Sequence, residues 1–126
     1  MFKRVDHVEI VPQNFERTID FFLNILGFKM KQRQKVNMPP FQEVAYLQLN
    51  DTMVELMSVK NPAPLSSEPW NVGYRAMALE VEDMDQAVAY LKNKGVEITW
   101  GPVSLGTSKR AEIKTPDGIP IELRQW

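Results

Sequence analysis

Polar and apolar positions along this chain change period in the same order twice. Residues 4–11, RVDHVEIV, alternate with a period of two, as a strand with one wetter face does. In the PQNFERTIDFFLNILGF that follows, Phe15, Ile19, Phe22, Leu23 and Leu26 recur at helical spacing. Asn14 is placed to cap the start of that helix and Gly27 to end it. The strand period then returns over residues 28–36, 43–49 and 52–60, with Asn50-Asp51 as the last turn. Residues 61–72 hold three prolines and two serines and read as a linker. A strand follows at 74–81. Asp83 caps the next helix with Gln86 as its capping-box partner, and Met84, Ala87, Val88 and Leu91 form its apolar stripe. Gly95 ends it, and strands follow at 96–100, 109–115 and 119–125, with Pro116-Asp117-Gly118 as a turn.

The pattern predicts one βαβββ unit written twice. The fold class is α+β: a single domain over 1–126, with module 1 at 1–60, a linker at 61–72 and module 2 at 73–126. Each module buries one sheet face against its own helix, and the other faces form a curved mixed sheet around a cleft.

Alternation also sorts side chains by face. Val8, Ile10, Val54, Leu56, Met77, Leu79, Ile121 and Leu123 turn to the helices. His7, Glu9, Met53, Glu55, Met57, Ala76, Glu80, Glu122 and Arg124 turn to the cleft. The only histidine thus shares a face with Glu55 and Glu122, each on a different strand. One imidazole and two carboxylates suit a divalent cation with positions left open for water or substrate. Salt bridges from Glu55 and Glu122 to Arg75, Arg110 or Arg124 are the competing reading. Tyr46, Tyr74, Trp70 and Trp100 are candidates for an aromatic wall, and Lys109, Arg110 and Arg124 for meeting an anionic group. The apolar MPPF connection within residues 37–42 reads as a cover for the cleft or a contact with a second subunit.

Composition narrows the chemistry. With no cysteine, disulfides, thiolate ligands and a cysteine nucleophile are excluded, and the cytoplasm is the expected compartment. A formal net charge of −1 offers no electrostatic footprint for nucleic acid. No apolar run approaches the ~20 residues of a membrane helix.

The segments DHVEIV, FERTIDFFLNILGF, MVELM, MALEVEDMDQAVAYLKNKGV and TPDGIPIELRQW together resemble the vicinal oxygen chelate superfamily, which holds glyoxalase I, bleomycin resistance proteins and extradiol dioxygenases. The resemblance implies metal ligands at the first and last strands of each half, here His7, Glu55, Ala76 and Glu122. Alanine at 76 departs from it. A ligand at Glu55 is a feature of the glyoxalase and epimerase branch, so the resemblance implies a lyase or isomerase. Its divalent ion (Zn, Ni, Co, Mn or Fe) would stabilise an enediolate or enolate of a small oxygen-rich substrate, and the implied catalytic carboxylates are Glu122 and Glu55. A non-catalytic drug-binding protein of the bleomycin-resistance type is the alternative, and a dioxygenase the third reading. The implied assembly is a homodimer and the implied partner a small molecule.

Overall fold

Asn14 and Asp83 start the two helices, as their positions predict. Each sits in extended backbone, and its side chain accepts a backbone N–H three residues on, from Arg17 at 3.0 Å and from Gln86 at 2.9 Å. Such caps are worth about 1 kcal/mol each. The first helix, α1 (Phe15–Asp20), runs on into a π-helical turn, Phe21–Ile25. The second, α2, spans Met84–Asn93. Gly27 and Gly95 follow them with φ of 80° and 78°, which only glycine adopts without strain.

The computed structural model describes all residues, 1–126, in two units, Met1–Pro64 and Leu65–Trp126. The first unit holds β1 (Val8–Ile10), β2 (Lys29–Met38), β3 (Phe41–Leu49) and β4 (Thr52–Val59), in the sheet order β1-β4-β3-β2. The second holds β5 (Met77–Glu80), β6 (Trp100–Leu105), β7 (Ser108–Lys114) and β8 (Pro120–Gln125), in the order β5-β8-β7-β6. In each, the first strand runs parallel to the last and the other pairs are antiparallel. The class is α+β, as two four-stranded mixed sheets of one topology.

Most of the helix-facing side chains are those that alternation selects; Val8, expected among them, is exposed, and Met77 and Leu79 are half-buried, because β1 and β5 are edge strands. Ile10, Ala45, Leu47, Val54 and Leu56 are buried in the first unit, where α1 packs on β4. Met84, Val88, Leu91, Ala111, Ile113, Ile121 and Leu123 are buried in the second, where α2 packs on β8. Phe22 is fully buried and meets Phe21 and Phe28 edge-on, with centroids 5.8 and 5.1 Å away.

Three boundaries differ from expectation. β1 and β5 are shorter than 4–11 and 74–81: each is an edge strand that pairs with its one neighbour only over Val8–Ile10 and Met77–Glu80. The strand expected at 96–100 begins at Trp100 and runs to Leu105. Gly101 and Pro102 hid it, yet both lie in the bulge between Trp100 and Val103, where a strand tolerates them. Gly101 has φ of 74°, and a Cβ there would lie 2.6 Å from the Arg110 carbonyl oxygen. Residues 37–42 are not a free loop: β2 ends at Met38, β3 starts at Phe41, and Pro39-Pro40 is a hairpin turn. No helix is long and apolar enough to cross a membrane.

Candidate metal centre

Register builds the first-unit site. Glu55 of β4 lies opposite Glu9 of β1 and Tyr46 of β3. Val54 and Leu56 face the helix, so Glu55, Glu9 and Tyr46 point the other way, and His7 joins them two residues before Glu9. The imidazole is hydrogen-bonded at one nitrogen and faces carboxylates with the other. Its Nδ1 is 2.8 Å from the Asp6 carboxylate. Its Nε2 is 3.3 Å from Glu55 Oε2 and 3.8 Å from Glu9 Oε1. The ring meets Tyr46 edge-on at 5.5 Å.

One donor atom from each of His7, Glu9 and Glu55 falls within 4.8 Å of the others. Ligands about 2.0–2.2 Å from a shared ion lie roughly 3–4 Å apart, so this set closes on a divalent cation with small side-chain movement. Charge argues the same way. Glu55 is only 6% exposed, between half-buried Met53 and Met57. A carboxylate in such a place needs a cation or good donors. Asp6, Glu9 and Glu55 surround a single imidazole, and acidic charge exceeds basic even when that imidazole is protonated. The Tyr46 hydroxyl donates to Glu55, and that bond, with burial second, raises the phenol's pKa. The hydrogen bond to Asp6 raises the His7 pKa and lowers that of Asp6. Asp6 holds the Nδ1 side of the ring and so turns Nε2 toward the carboxylates, the orientation that an outer partner gives an imidazole able to hold a metal.

The structure thus brings His7 and Glu55 together and adds Glu9 and Asp6. Glu9 had a sequence signal, since His-x-Glu on a strand puts both side chains on one face. Asp6 had none, because alternation assigns a neighbour of His7 to the opposite face.

Glu122 belongs to the second unit, where it lies opposite Ala78 and Glu112. Ala78 therefore holds the place of Glu9, and Ala76, exposed ahead of β5, the place of His7. Glu122 Oε1 meets Arg110 Nε and, at 3.2 Å, Arg124 Nη2. Arg75 donates to both oxygens of Glu112 at 3.0 Å, and Arg110 also reaches Glu112. The salt-bridge reading thus describes the surroundings of Glu122, while Glu55 pairs with histidine. Lys109 shares the face of Ala111, away from Arg110, and Tyr74 is fully exposed.

Residues 4–123 match the Glyoxalase/Bleomycin resistance protein/Dioxygenase superfamily. The chain belongs to that superfamily. The Escherichia coli protein YaeR is 32% identical over 123 residues, covering 96% of this chain and 95% of its own. A lactoylglutathione lyase of Neisseria meningitidis is 29% identical over 130 residues, covering 97% and 90%. The crystal structure of a glyoxalase family protein from Enterococcus faecalis superposes with a TM-score of 0.85 at 26% identity, covering 98% of each chain. The two-sheet α+β architecture is that of the superfamily, whose members bind small molecules and typically use a divalent metal.

Proposed function

We propose that this superfamily member is a metal-dependent lyase or isomerase of the glyoxalase type, acting on a small oxygen-rich molecule. The observation that carries the reading is the convergence of His7, Glu9 and Glu55 donors within 4.8 Å at a nearly buried carboxylate, with Asp6 behind the imidazole. His7 and Glu55 would hold the ion, with Glu9 beside them. Nitrogen and oxygen donors of this kind accept Zn, Ni, Co, Mn or Fe. When bound, the ion polarises the substrate's vicinal oxygens as a Lewis acid. Tyr46 orients Glu55 through its hydroxyl. Arg110 and Arg124 hold Oε1 of Glu122 and leave Oε2 to take and return the proton at the substrate carbon. Ala76 leaves its position to water or a substrate oxygen. A dioxygenase would call for a second histidine, and His7 is the only one.

Metal analysis of protein reconstituted with each ion, beside His7→Ala, tests this. One ion per chain in the parent and none in the variant supports it; no stoichiometric ion in either rejects it. One feature favours the second reading, a non-catalytic binding protein: Ala76 and Ala78 stand where the first unit has His7 and Glu9. That reading expects ligand binding indifferent to EDTA. A homodimer is the assembly proposed, checked by sedimentation equilibrium.

A further inference from the structure

The two units part at the first strand of each sheet. The first unit has His7 just ahead of β1 and Glu9 within it; the matching places at β5 hold Ala76 and Ala78. Both side chains that the second unit lacks there are of metal-ligating types. Any donor that a first strand offers an ion therefore comes from the first unit.

Glu9 and Glu55 are register partners in a parallel pair, so their carboxylates share one face on strands roughly 5 Å apart. Like charges so placed repel unless a cation lies between them. No lysine or arginine forms an ion pair with either. The one group that faces both is the His7 ring, whose Nε2 is 3.3 Å from Glu55 Oε2 and 3.8 Å from Glu9 Oε1. The three donor atoms lie within 4.8 Å of one another. The Glu55 side chain is 8% exposed and held in place, while that of Glu9 is 60% exposed and has room to close on a shared ion.

Glu122 is surrounded differently. Its Oε1 meets Arg110 Nε and, at 3.2 Å, Arg124 Nη2. Its charge is already compensated, and a divalent ion brought to it would be repelled by both guanidinium groups. One side chain thus lacks a cation partner and the other has two.

We infer, on the metal reading proposed for this chain, that Glu9 is the third protein ligand and that the first unit holds the ion alone. The resemblance to the superfamily placed that ligand on Glu122 of the second unit; the geometry moves it to Glu9. One imidazole and two carboxylates complete a three-ligand set with a position open to substrate. Glu122 keeps its arginines and stays outside the coordination sphere.

Full-length, metal-free protein is titrated with Zn²⁺ by calorimetry. Co²⁺ is the second probe, because its visible bands respond to the ligands themselves far more than to nearby charge. Glu9→Gln should weaken Zn²⁺ at least about tenfold and shift the Co²⁺ bands. Glu122→Gln should leave Zn²⁺ affinity within about twofold and the Co²⁺ bands in place. Circular dichroism reports folding of both. Should Glu122→Gln unfold, Glu122→Asp repeats the comparison, since it keeps the charge beside the arginines and draws the carboxylate back by one methylene. Parent affinity in Glu9→Gln, or unshifted Co²⁺ bands there, overturns the inference. So does a loss in the Glu122 variant equal to that in Glu9→Gln, which would return the third ligand to the second unit. Each of those outcomes leaves the metal reading standing, whereas a parent that binds neither ion stoichiometrically removes both together.

Discussion

Glu55 and Glu122 hold the same place in two copies of one topology, yet their neighbours are of opposite kinds. Each sits on the last strand of its sheet, between a parallel first strand and an antiparallel third. Around Glu55 are an imidazole, a phenol and a second carboxylate. Around Glu122 are two guanidinium groups, with Glu112 and its own arginines beside them. Topology decides where a side chain points; local residue choice decides what it can do there. The first unit gathers negative charge that calls for a cation, and the second neutralises its carboxylates with arginine.

Glu55→Gln breaks the comparison most severely. Glutamine keeps the shape and an acceptor for Tyr46 but removes the charge, so calorimetry should show affinity for a divalent ion falling at least about a hundredfold, roughly 2.7 kcal/mol. Stability of the metal-free protein should change by less than about 1 kcal/mol, because the desolvation cost of the buried carboxylate leaves with its attraction to His7. A large stability loss with ion affinity retained would make Glu55 a structural carboxylate, and the two halves alike.

The second unit should respond in reverse. Arg110 touches both Glu112 and Glu122 and stacks on Trp100, with its side chain 25% exposed. Arg110→Leu leaves Glu112 to Arg75 and Glu122 to Arg124, with less charge to balance two neighbouring carboxylates, and should cost about 1–2 kcal/mol in urea denaturation. An undiminished midpoint would mean that these pairs hold nothing together.

Much of this was legible in the sequence because it follows from periodicity. Asn14 and Asp83 cap helices where they should, the duplicated order of elements is real, and Glu55 and Glu122 are on the faces that alternation assigns. What periodicity misses is partner choice. Nothing in the spacing pairs Trp70 with Arg75 or Trp126 with Arg124, since those contacts depend on side-chain reach. Strand ends escape for a related reason: at β1 and β5 pairing stops before the alternation does. The Gly101-Pro102 bulge hid β6 because both residues argue against a strand until the register shift is known.

Asp6 separates the halves more finely. It touches no proposed ion, yet it holds the Nδ1 side of His7 at 2.8 Å, and the second unit has no such device. Outer partners of metal-bound histidines are typically worth 10–100-fold in affinity. Asp6→Asn should therefore weaken the ion about tenfold, with stoichiometry intact. Full affinity in Asp6→Asn would reduce that contact to a surface pairing.

The smallest effect, and the most discriminating, is pH dependence. In the metal-free protein the His7 pKa stands above its ordinary 6.5, first through the Asp6 hydrogen bond and then through attraction to Glu55. The fold therefore holds that proton more tightly than the unfolded chain does. This contribution to stability is complete below the unfolded value near 6.5 and is lost as pH rises through the higher folded value. A bound ion reverses the sign, since it needs the imidazole unprotonated, and its affinity should climb over the same window. NMR titration of the imidazole protons should show the raised pKa and its fall toward 6.5 in Asp6→Asn. An unshifted parent pKa would undo the geometry assigned to Asp6. The second unit contains no histidine. Asp6→Asn should therefore flatten the dependence of stability on pH above 6.5, and an unchanged dependence would place its source outside the Asp6–His7 pair.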